Sequence, residues 1–401
     1  MKNIKRLSWL FAAIMFVAMP INVIAQETSS AIGGTVVDSD GNPVSGATVI
    51  IKHIPTGATK TISTNNNGNY QARGLRVGGP YTVSVTNDGF GDVTKDDIYL
   101  KLGMTKDVDA TIVSDSVTLD SISVVGVVPS SDTFNPDNMG TGSVVTREQI
   151  DNLASTDRSL ADFARLDSRV QAGVNAATGE SNGSFAAAGV NNRYNNISID
   201  GVATNDEFGL EPTGQPGLSQ SFSLDTIEEL QIQLSPYDTA LSNFVGLNVN
   251  AVTKSGTNEL HGRVNLFYQD EGFARDGLND FKNETYSVSL GGPIIKDKLF
   301  FFINYENKER TDVADDVTGS AIAPNADGSP NANVVEAARI AREVWGFDPG
   351  SVATSGAVVD DQEKILVKLD WEINEKQRLS MRYNQSEDSD FNLRHSANRD
   401  I

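Results

Sequence analysis

The 401-residue sequence predicts a mainly β protein: an export signal, a small antiparallel β-sandwich, a mixed α+β unit and the first strands of a transmembrane β-barrel. Three observations carry that expectation. A basic, then apolar, then small-residue leader opens the chain. Short β-prone runs separated by Gly, Asn, Asp and Pro turns follow it. From about residue 260 onward, long runs alternate strictly between apolar and polar side chains. The expected boundaries are 1–25 for the signal, 26–113 for the sandwich, 114–138 for a linker, 139–256 for the α+β unit and 257–401 for the barrel strands.

In the leader, Lys2, Lys5 and Arg6 precede an apolar run over residues 7–19, and Val23, Ile24 and Ala25 supply the cleavage region. That run falls short of the roughly 20 apolar residues that span a bilayer, so cleavage after Ala25 is expected. No later stretch is long and apolar enough for a membrane helix, so insertion has to use strands, which satisfy their backbone in lipid only when paired.

Acidic residues outnumber basic ones by 53 to 32, a formal charge of -21. A partner built on a phosphate backbone needs a basic face, so no nucleic acid is expected. With no cysteine in the chain, thiolate metal sites and cysteine nucleophiles are excluded. His53, His261 and His395 are scattered without ligand-like spacing, so no metal site, cofactor or catalytic residue is expected; carboxylate calcium sites stay open.

In the sandwich region, strand-like runs at 32–37, 48–54, 59–64, 70–73 and 81–86 point to about seven strands, with turns at Gly41, Gly68 and Gly89. The pattern Gly33, Thr35, Val36, Asp38, then Gly41, Pro43, Gly46, Ala47, Val49, then Gly68, Tyr70, Leu75, Gly79, Tyr81, Val83, Val85, Gly89, Phe90 resembles the carboxypeptidase regulatory-like domain. That family attaches to many proteins and carries no peptidase chemistry. Tyr70, Tyr81 and Phe90 sit at alternating strand positions and read as core.

The linker contains a β-prone run, Ile122, Ser123, Val124, Val125, Gly126, Val127 and Val128, inside a polar tether. It is either a further sandwich strand or a segment reserved for strand pairing with a partner. In the α+β unit, Thr146 and Gln149 form a capping-box pattern ahead of Ile150, a second helix is expected over 160–166, and strands over 196–199, 230–234 and 247–253.

Three stretches of this unit, Phe163-Ala164-Arg165-Leu166-Asp167-Ser168-Arg169-Val170, Asn192-Arg193-Tyr194-Asn195-Asn196-Ile197-Ser198-Ile199-Asp200-Gly201-Val202 and Ser242-Asn243-Phe244-Val245-Gly246-Leu247-Asn248-Val249-Asn250-Ala251-Val252-Thr253-Lys254-Ser255-Gly256-Thr257-Asn258, resemble the plug of TonB-dependent outer-membrane receptors of the Oar type. Nutrient importers of the SusC type share the front domain, but their plug motifs read differently from Ile199-Asp200-Gly201-Val202-Ala203. The resemblance implies an outer-membrane protein of a Gram-negative bacterium whose front domain is periplasmic, with three partners: TonB and its inner-membrane energising complex, outer-membrane lipid, and an extracellular ligand. It also implies that residues 122–128 serve as the TonB box. Arg193, Asp206, Glu207 and Glu211 are candidates for a ligand-facing plug loop; a solvated acidic loop is the plainer reading.

Barrel strands are expected around Leu260, Val264, Leu266 and Tyr268; Tyr286, Val288 and Leu290; Leu299, Phe301, Ile303 and Tyr305; Ile365, Val367, Leu369 and Trp371; and Leu379, Met381 and Tyr383, with these side chains toward lipid. The intervening positions, such as Arg263, Ser287, Lys364, Lys368, Asp370 and Arg382, face a wet lumen. Turns at 291–298 and 374–376 are short and the 311–360 insertion is long, which assigns the former to the periplasm and the latter to the outside. Tyr268, Tyr286, Tyr305 and Tyr383 then form an outer aromatic girdle. A soluble sandwich with one wet face is the competing reading of the alternation. About five strands cannot close a barrel, so further strands are expected beyond Ile401. The expected function is gated uptake of an extracellular ligand, or alternatively Oar-type surface structure or adhesion without transport. Enzymatic activity is not expected.

Overall fold

A computed structural model describes residues 28–114, 141–153, 155, 158–174, 181–206, 208, 214–217, 220–234, 244–273, 281–313, 332–348 and 357–390. The leader and the 122–128 segment lie outside the described residues.

The first unit is a sandwich of eight strands: β1 (Ser30–Val37), β2 (Thr48–His53), β3 (Thr59–Ser63), β4 (Asn69–Leu75), β5 (Gly78–Thr86), β6 (Val93–Leu100), β7 (Thr105–Asp107) and β8 (Ala110–Thr111). One sheet runs β4-β1-β7 with β8 also on β1, the other β3-β2-β5-β6. Val49, Ile51 and His53 of β2 and Tyr81, Val83 and Val85 of β5 are buried, while Ile50 is exposed, the period-two pattern of a half-wet sheet. Tyr70 and Tyr81 are core residues, and their hydroxyls donate to the carbonyls of Val108 (2.5 Å) and Arg76 (2.9 Å). The sandwich is not purely antiparallel. β7 and β8 run parallel to β1, and β6 is a strand that its polar composition concealed.

The second unit comprises β9 (Thr141–Thr146), helices α1 (Arg147–Asn152) and α2 (Leu160–Ala164), β10 (Val170–Val174), β11 (Ser181–Ala187), β12 (Asn196–Ile199), β13 (Val202–Ala203), β14 (Ile227–Leu234) and β15 (Leu247–Thr253). Its sheet has the order β13-β12-β15-β14-β9, with β12 and β15 parallel; β10 and β11 form a separate hairpin. Gln149 closes α1 by accepting the Thr146 N–H at 3.0 Å, as a capping box requires. Every residue of β15 is buried. Leu247, Val249 and Ala251 enter the hydrophobic core. On the opposite face, Asn248 accepts from Asn196 (2.8 Å) and Asn250 accepts from Ser198 (3.1 Å), so the buried amides are paired rather than orphaned.

The third unit is a five-stranded antiparallel meander, β16 (His261–Asp270), β17 (Phe281–Ile295), β18 (Leu299–Val313), β19 (Ala357–Asn374) and β20 (Gln377–Asp390). Its burial is inverted relative to a soluble sheet. Ser287, Asn304, Glu306, Lys364, Lys368 and Asp370 are buried, while Val264, Leu266, Val288, Leu290, Ile303, Leu369 and Met381 are exposed. Water as the outer solvent would reverse that arrangement; hydrocarbon outside and protein inside produces it. Two details differ from expectation. Gly291, Gly292 and Pro293 are ladder residues of β17 opposite Phe302, Phe301 and Phe300, so the turn shrinks to residues 296–298. The long insertion is shortened by pairing of Val313 with Ala357, and it contains helix α3 (Ala332–Glu343), which its composition did not signal.

Gly256 carries the chain from β15 to the barrel strands. A Cβ there would lie 2.3 Å from the Phe301 carbonyl oxygen and 2.7 Å from that of Gly292, so only glycine lets the crossing chain lie against the β17–β18 backbone.

Candidate functional site

The sheet of the second unit sits against the polar face of the meander, and the seam between them is lined by ion pairs. Asp200 is its hub. It occupies the left-handed region (φ 46°) in the tight turn from β12 to β13, a conformation that Asp tolerates and Gly201 continues. Its carboxylate accepts from the Thr253 N–H (2.8 Å) and hydroxyl (2.7 Å) within its own sheet. From the wall it accepts from Arg382 of β20 (3.0 Å) and faces the Lys368 ammonium of β19 (3.9 Å). Lys368 also donates to the carbonyl and hydroxyl oxygens of Thr253, each at 3.0 Å.

A second cluster lies toward β16 and β17. Asp225, in the one-turn 3-10 helix Leu224–Thr226, faces Arg158 at 2.9 Å and accepts from the Ser287 hydroxyl at 2.5 Å. Burial pushes the Asp225 carboxyl up, but Arg158 and the hydrogen bonds outweigh it and hold it below the usual carboxylate range. Arg158 also stacks over the Phe267 ring, 4.0 Å from its centroid. Asp151 of α1 accepts from Arg263 of β16 at 2.6 Å and pairs with Arg147. The Ser223 hydroxyl donates to Glu306 of β18, whose carboxylate faces Lys364 at 3.5 Å. Among the described residues, then, each of the five wall strands meets this unit through a polar contact, the fifth adding Asn384, which donates to the Ser221 carbonyl at 2.9 Å.

Where three units meet, a chamber of about 390 Å³ is lined by His53, Arg76, Asp200, Glu228, Lys368 and Asp370, among others. Burial first, then Arg76, drives the His53 pKa down to about 3, so the ring is neutral beside Tyr81. Burial raises the Glu228 carboxyl and takes Glu229 to about 8, and it lowers Lys254 to about 8. No group of three or more His, Cys, Asp or Glu residues among the described ones is arranged to hold a metal.

Of the residues singled out in the sequence, Arg193 is exposed in the one-turn helix Asn192–Tyr194. The Asp206 N–H donates to the Gly214 carbonyl at 3.0 Å, and a Cβ on Gly214 would lie 4.0 Å from the Arg193 Cα, so Arg193 and Asp206 share one neighbourhood. Glu207 and Glu211 lie outside the described residues. Tyr268, Tyr286 and Tyr383 are exposed and Tyr305 is half-buried, on the outer face. The ladder level of Tyr268 runs through Glu284, Glu309 and Asp361 to Ser389, and the tyrosines drift from it in one sense until Tyr383 stands six residues away. Six residues are about 20 Å along a strand, and four strand spacings are about 19 Å. A level ring of tyrosines therefore requires strands tilted by roughly 45°, within reach of the tilt of membrane barrels.

Comparison with known proteins follows this division. Residues 31–113 match the carboxypeptidase regulatory-like domain, 135–244 the TonB-dependent receptor plug domain, and 252–328 an outer membrane beta barrel domain. The chain carries a plug domain of the TonB-dependent receptors between these two flanking domains. The chain is 27% identical over 302 residues to the TonB-dependent transporter Oar of Myxococcus xanthus, covering 69% of the present chain and 26% of that protein. It is 25% identical over 202 residues to the probable TonB-dependent siderophore receptor PirA of Acinetobacter baumannii, covering 48% and 26%. The chain thus spans about a quarter of the length of these curated relatives. The crystal structure of the outer membrane transporter YddB from Escherichia coli overlaps it with a TM-score of 0.44 at 15% identity, over 62% of this chain and 33% of that one. With a plug domain and an outer membrane beta barrel domain, the protein resides in the outer membrane of a Gram-negative bacterium. Sequence reasoning singled out the Asp200 turn as a family motif and the lumenal parity of Lys364, Lys368 and Asp370. It missed that Asp200, Lys368 and Arg382 meet, because no local pattern links positions so far apart.

Proposed function

We propose that this receptor takes up an extracellular ligand through a barrel gated by residues 141–253, and that TonB, pulling on residues 122–128, supplies the work. The observation that carries the reading is the seam itself. A separately cored sheet meets the wall through hydrogen bonds and ion pairs from every strand, contacts that can be exchanged with water by an element that has to move. The 122–128 run lies in the tether between β8 and β9, where a strand recruited by a partner can transmit tension to β9. Arg193, Asp206, Glu207 and Glu211 are the proposed ligand-facing group; Tyr268, Tyr286, Tyr305 and Tyr383 form the proposed girdle at the outer interface. The sandwich then lies in the periplasm, on the side of the short turns.

The direct test is binding of the isolated periplasmic domain of TonB to the intact protein in detergent. Copurification is expected for the native chain and is lost when residues 122–128 are deleted. Equal recovery of both removes the TonB-box assignment.

A further inference from the structure

The sandwich is docked on both sides of the seam. On the gate side, Glu229 of β14 accepts the Leu102 N–H (2.9 Å) and the Gln231 amide donates to the Leu102 carbonyl (3.2 Å), so one fully buried turn residue is gripped at both backbone groups. On the wall side, Arg76 donates to Glu372 of β19 through Nε (2.9 Å) and Nη2 (2.8 Å) and lies 3.6 Å from Asp370. These three side chains are no more than 15% exposed. A further wall contact involves the β17–β18 turn. The Asn258 N–H donates to the Pro55 carbonyl (2.8 Å), and the Asn258 side chain donates to Asp297 (2.7 Å). Gly57 lies so close to that turn that a Cβ would stand 3.0 Å from the Asp297 Cγ.

The two grips belong to elements that have to separate if the gate moves. β14 pairs with β15 and β9 inside the gate, whereas β19 pairs with β18 and β20 in the wall. A displacement of β14 along the lumen therefore tears the sandwich from one side or the other. The sides differ in kind. Leu102 is held through its backbone inside a buried junction, while the Arg76 pairs border the chamber of about 390 Å³, where water can take over the charges once they part.

We infer that the N-terminal sandwich is a latch that clamps the gate to the periplasmic rim of the barrel and releases on the wall side, by parting Arg76 from Asp370 and Glu372. This rests on the gate reading above, and it adds that the closed state is held in part by a domain outside the lumen. The sandwich travels with β14 when the gate moves.

The test uses the intact protein in planar bilayers with KCl as the probe. Arg76→Ala is expected to raise the frequency of conducting events by about tenfold, within the usual range of coupling between sites. The pair Gly57→Cys and Asp297→Cys, in a chain with no native cysteine, is expected to suppress events below the native level when oxidised and to restore them on reduction. The cysteine pair decides the matter if Arg76→Ala fails to assemble, as judged by heat-modifiable migration in a gel. Native behaviour of Arg76→Ala, or of the oxidised pair, overturns the latch. A variant lacking residues 141–253 separates the two readings. If it conducts freely while latch variants behave as native, only the latch falls; if it conducts no better than the native protein, the gate reading falls and takes the latch with it.

Discussion

Replacing Asp200 by Ala removes the acceptor of two bonds within the gate and of the Arg382 bond from the wall, and it removes the counter-charge of Lys368. Lys368 is 6% exposed and keeps its two bonds to Thr253, with the Asp370 carboxylate as its remaining counter-charge. Removing one partner of a buried pair costs about 3–5 kcal/mol, and the partial exposure of Arg382 argues for the lower end, about 3 kcal/mol. Asp200→Asn is a sharper probe, because asparagine tolerates the left-handed backbone and keeps an acceptor for Thr253. Its loss is the charge alone, and about 1–2 kcal/mol is expected. Urea unfolding of the intact protein in detergent, followed by a fluorophore on β14, reads the gate transition. The expected order of midpoints is native, then Asn, then Ala. Coincident midpoints for all three refute the claim that Asp200 is the hub of the seam.

Three further outcomes follow from the same geometry. Val288 is mid-strand on the exposed face, so Val288→Arg is expected to cost about 2–4 kcal/mol on folding into lipid vesicles; a loss below about 0.5 kcal/mol would put that face outside hydrocarbon. Gly256→Ala drives a Cβ into two backbone oxygens; the heat-modifiable folded band is expected to disappear, and normal assembly would mean that the crossing chain runs elsewhere. Glu229 is raised by burial to about 8, so between the ordinary 4.5 and 8 the folded state keeps a proton that the unfolded state has lost. Stability then falls as pH rises through that window, by up to about 1.4 kcal/mol per pH unit. Lys254, lowered to about 8, acts in the opposite sense above 8, His53, lowered to about 3, does so below 6.5, and Glu228 is raised together with Glu229, so the share of Glu229 is read between pH 6.5 and 7.5 as the difference between the native chain and Glu229→Gln. Glu229→Gln should flatten the slope; an unchanged slope would assign it to another group.

The barrel strands were legible because two environments act on alternate residues, and period-two contrast survives in a single sequence. Leu266, Val288 and Met381 on one parity, against Ser287, Lys368 and Arg382 on the other, determine which face meets lipid before any coordinate is known. The capping box at Thr146 and the strand over 196–199 were legible for the same local reason. The polar strand Val93–Leu100 and the short strands parallel to β1 were not, since their residues are chosen by neighbours distant in the chain. Helix α3 went unread because the insertion is polar as a whole, although Val334, Val335, Ala338 and Ala341 recur within it at helical spacing. The contacts that matter most for function are the least local. Arg76 meets Glu372, Leu102 meets Glu229, and Asp200 meets Arg382. Nothing near Arg76 in the sequence foretells a partner almost three hundred positions away.

The plug unit keeps its apolar side chains in a core of its own, Leu230, Ile232, Val249 and Phe222 among them, and meets the wall through carboxylates, guanidinium groups and hydroxyls. Sliding one body past the other uncovers charged and hydroxyl groups that water can solvate as their partners leave, together with the buried Phe300, Phe302 and Leu366 of the wall. The resistance to motion is electrostatic and short in range, like that of a wetted bearing, so it vanishes after a displacement of a few ångströms. Salt should weaken the exposed pair of Arg263 and Asp151 and leave the buried pairs of Asp225 and Lys368 nearly unchanged, whereas a greased, apolar contact would tighten.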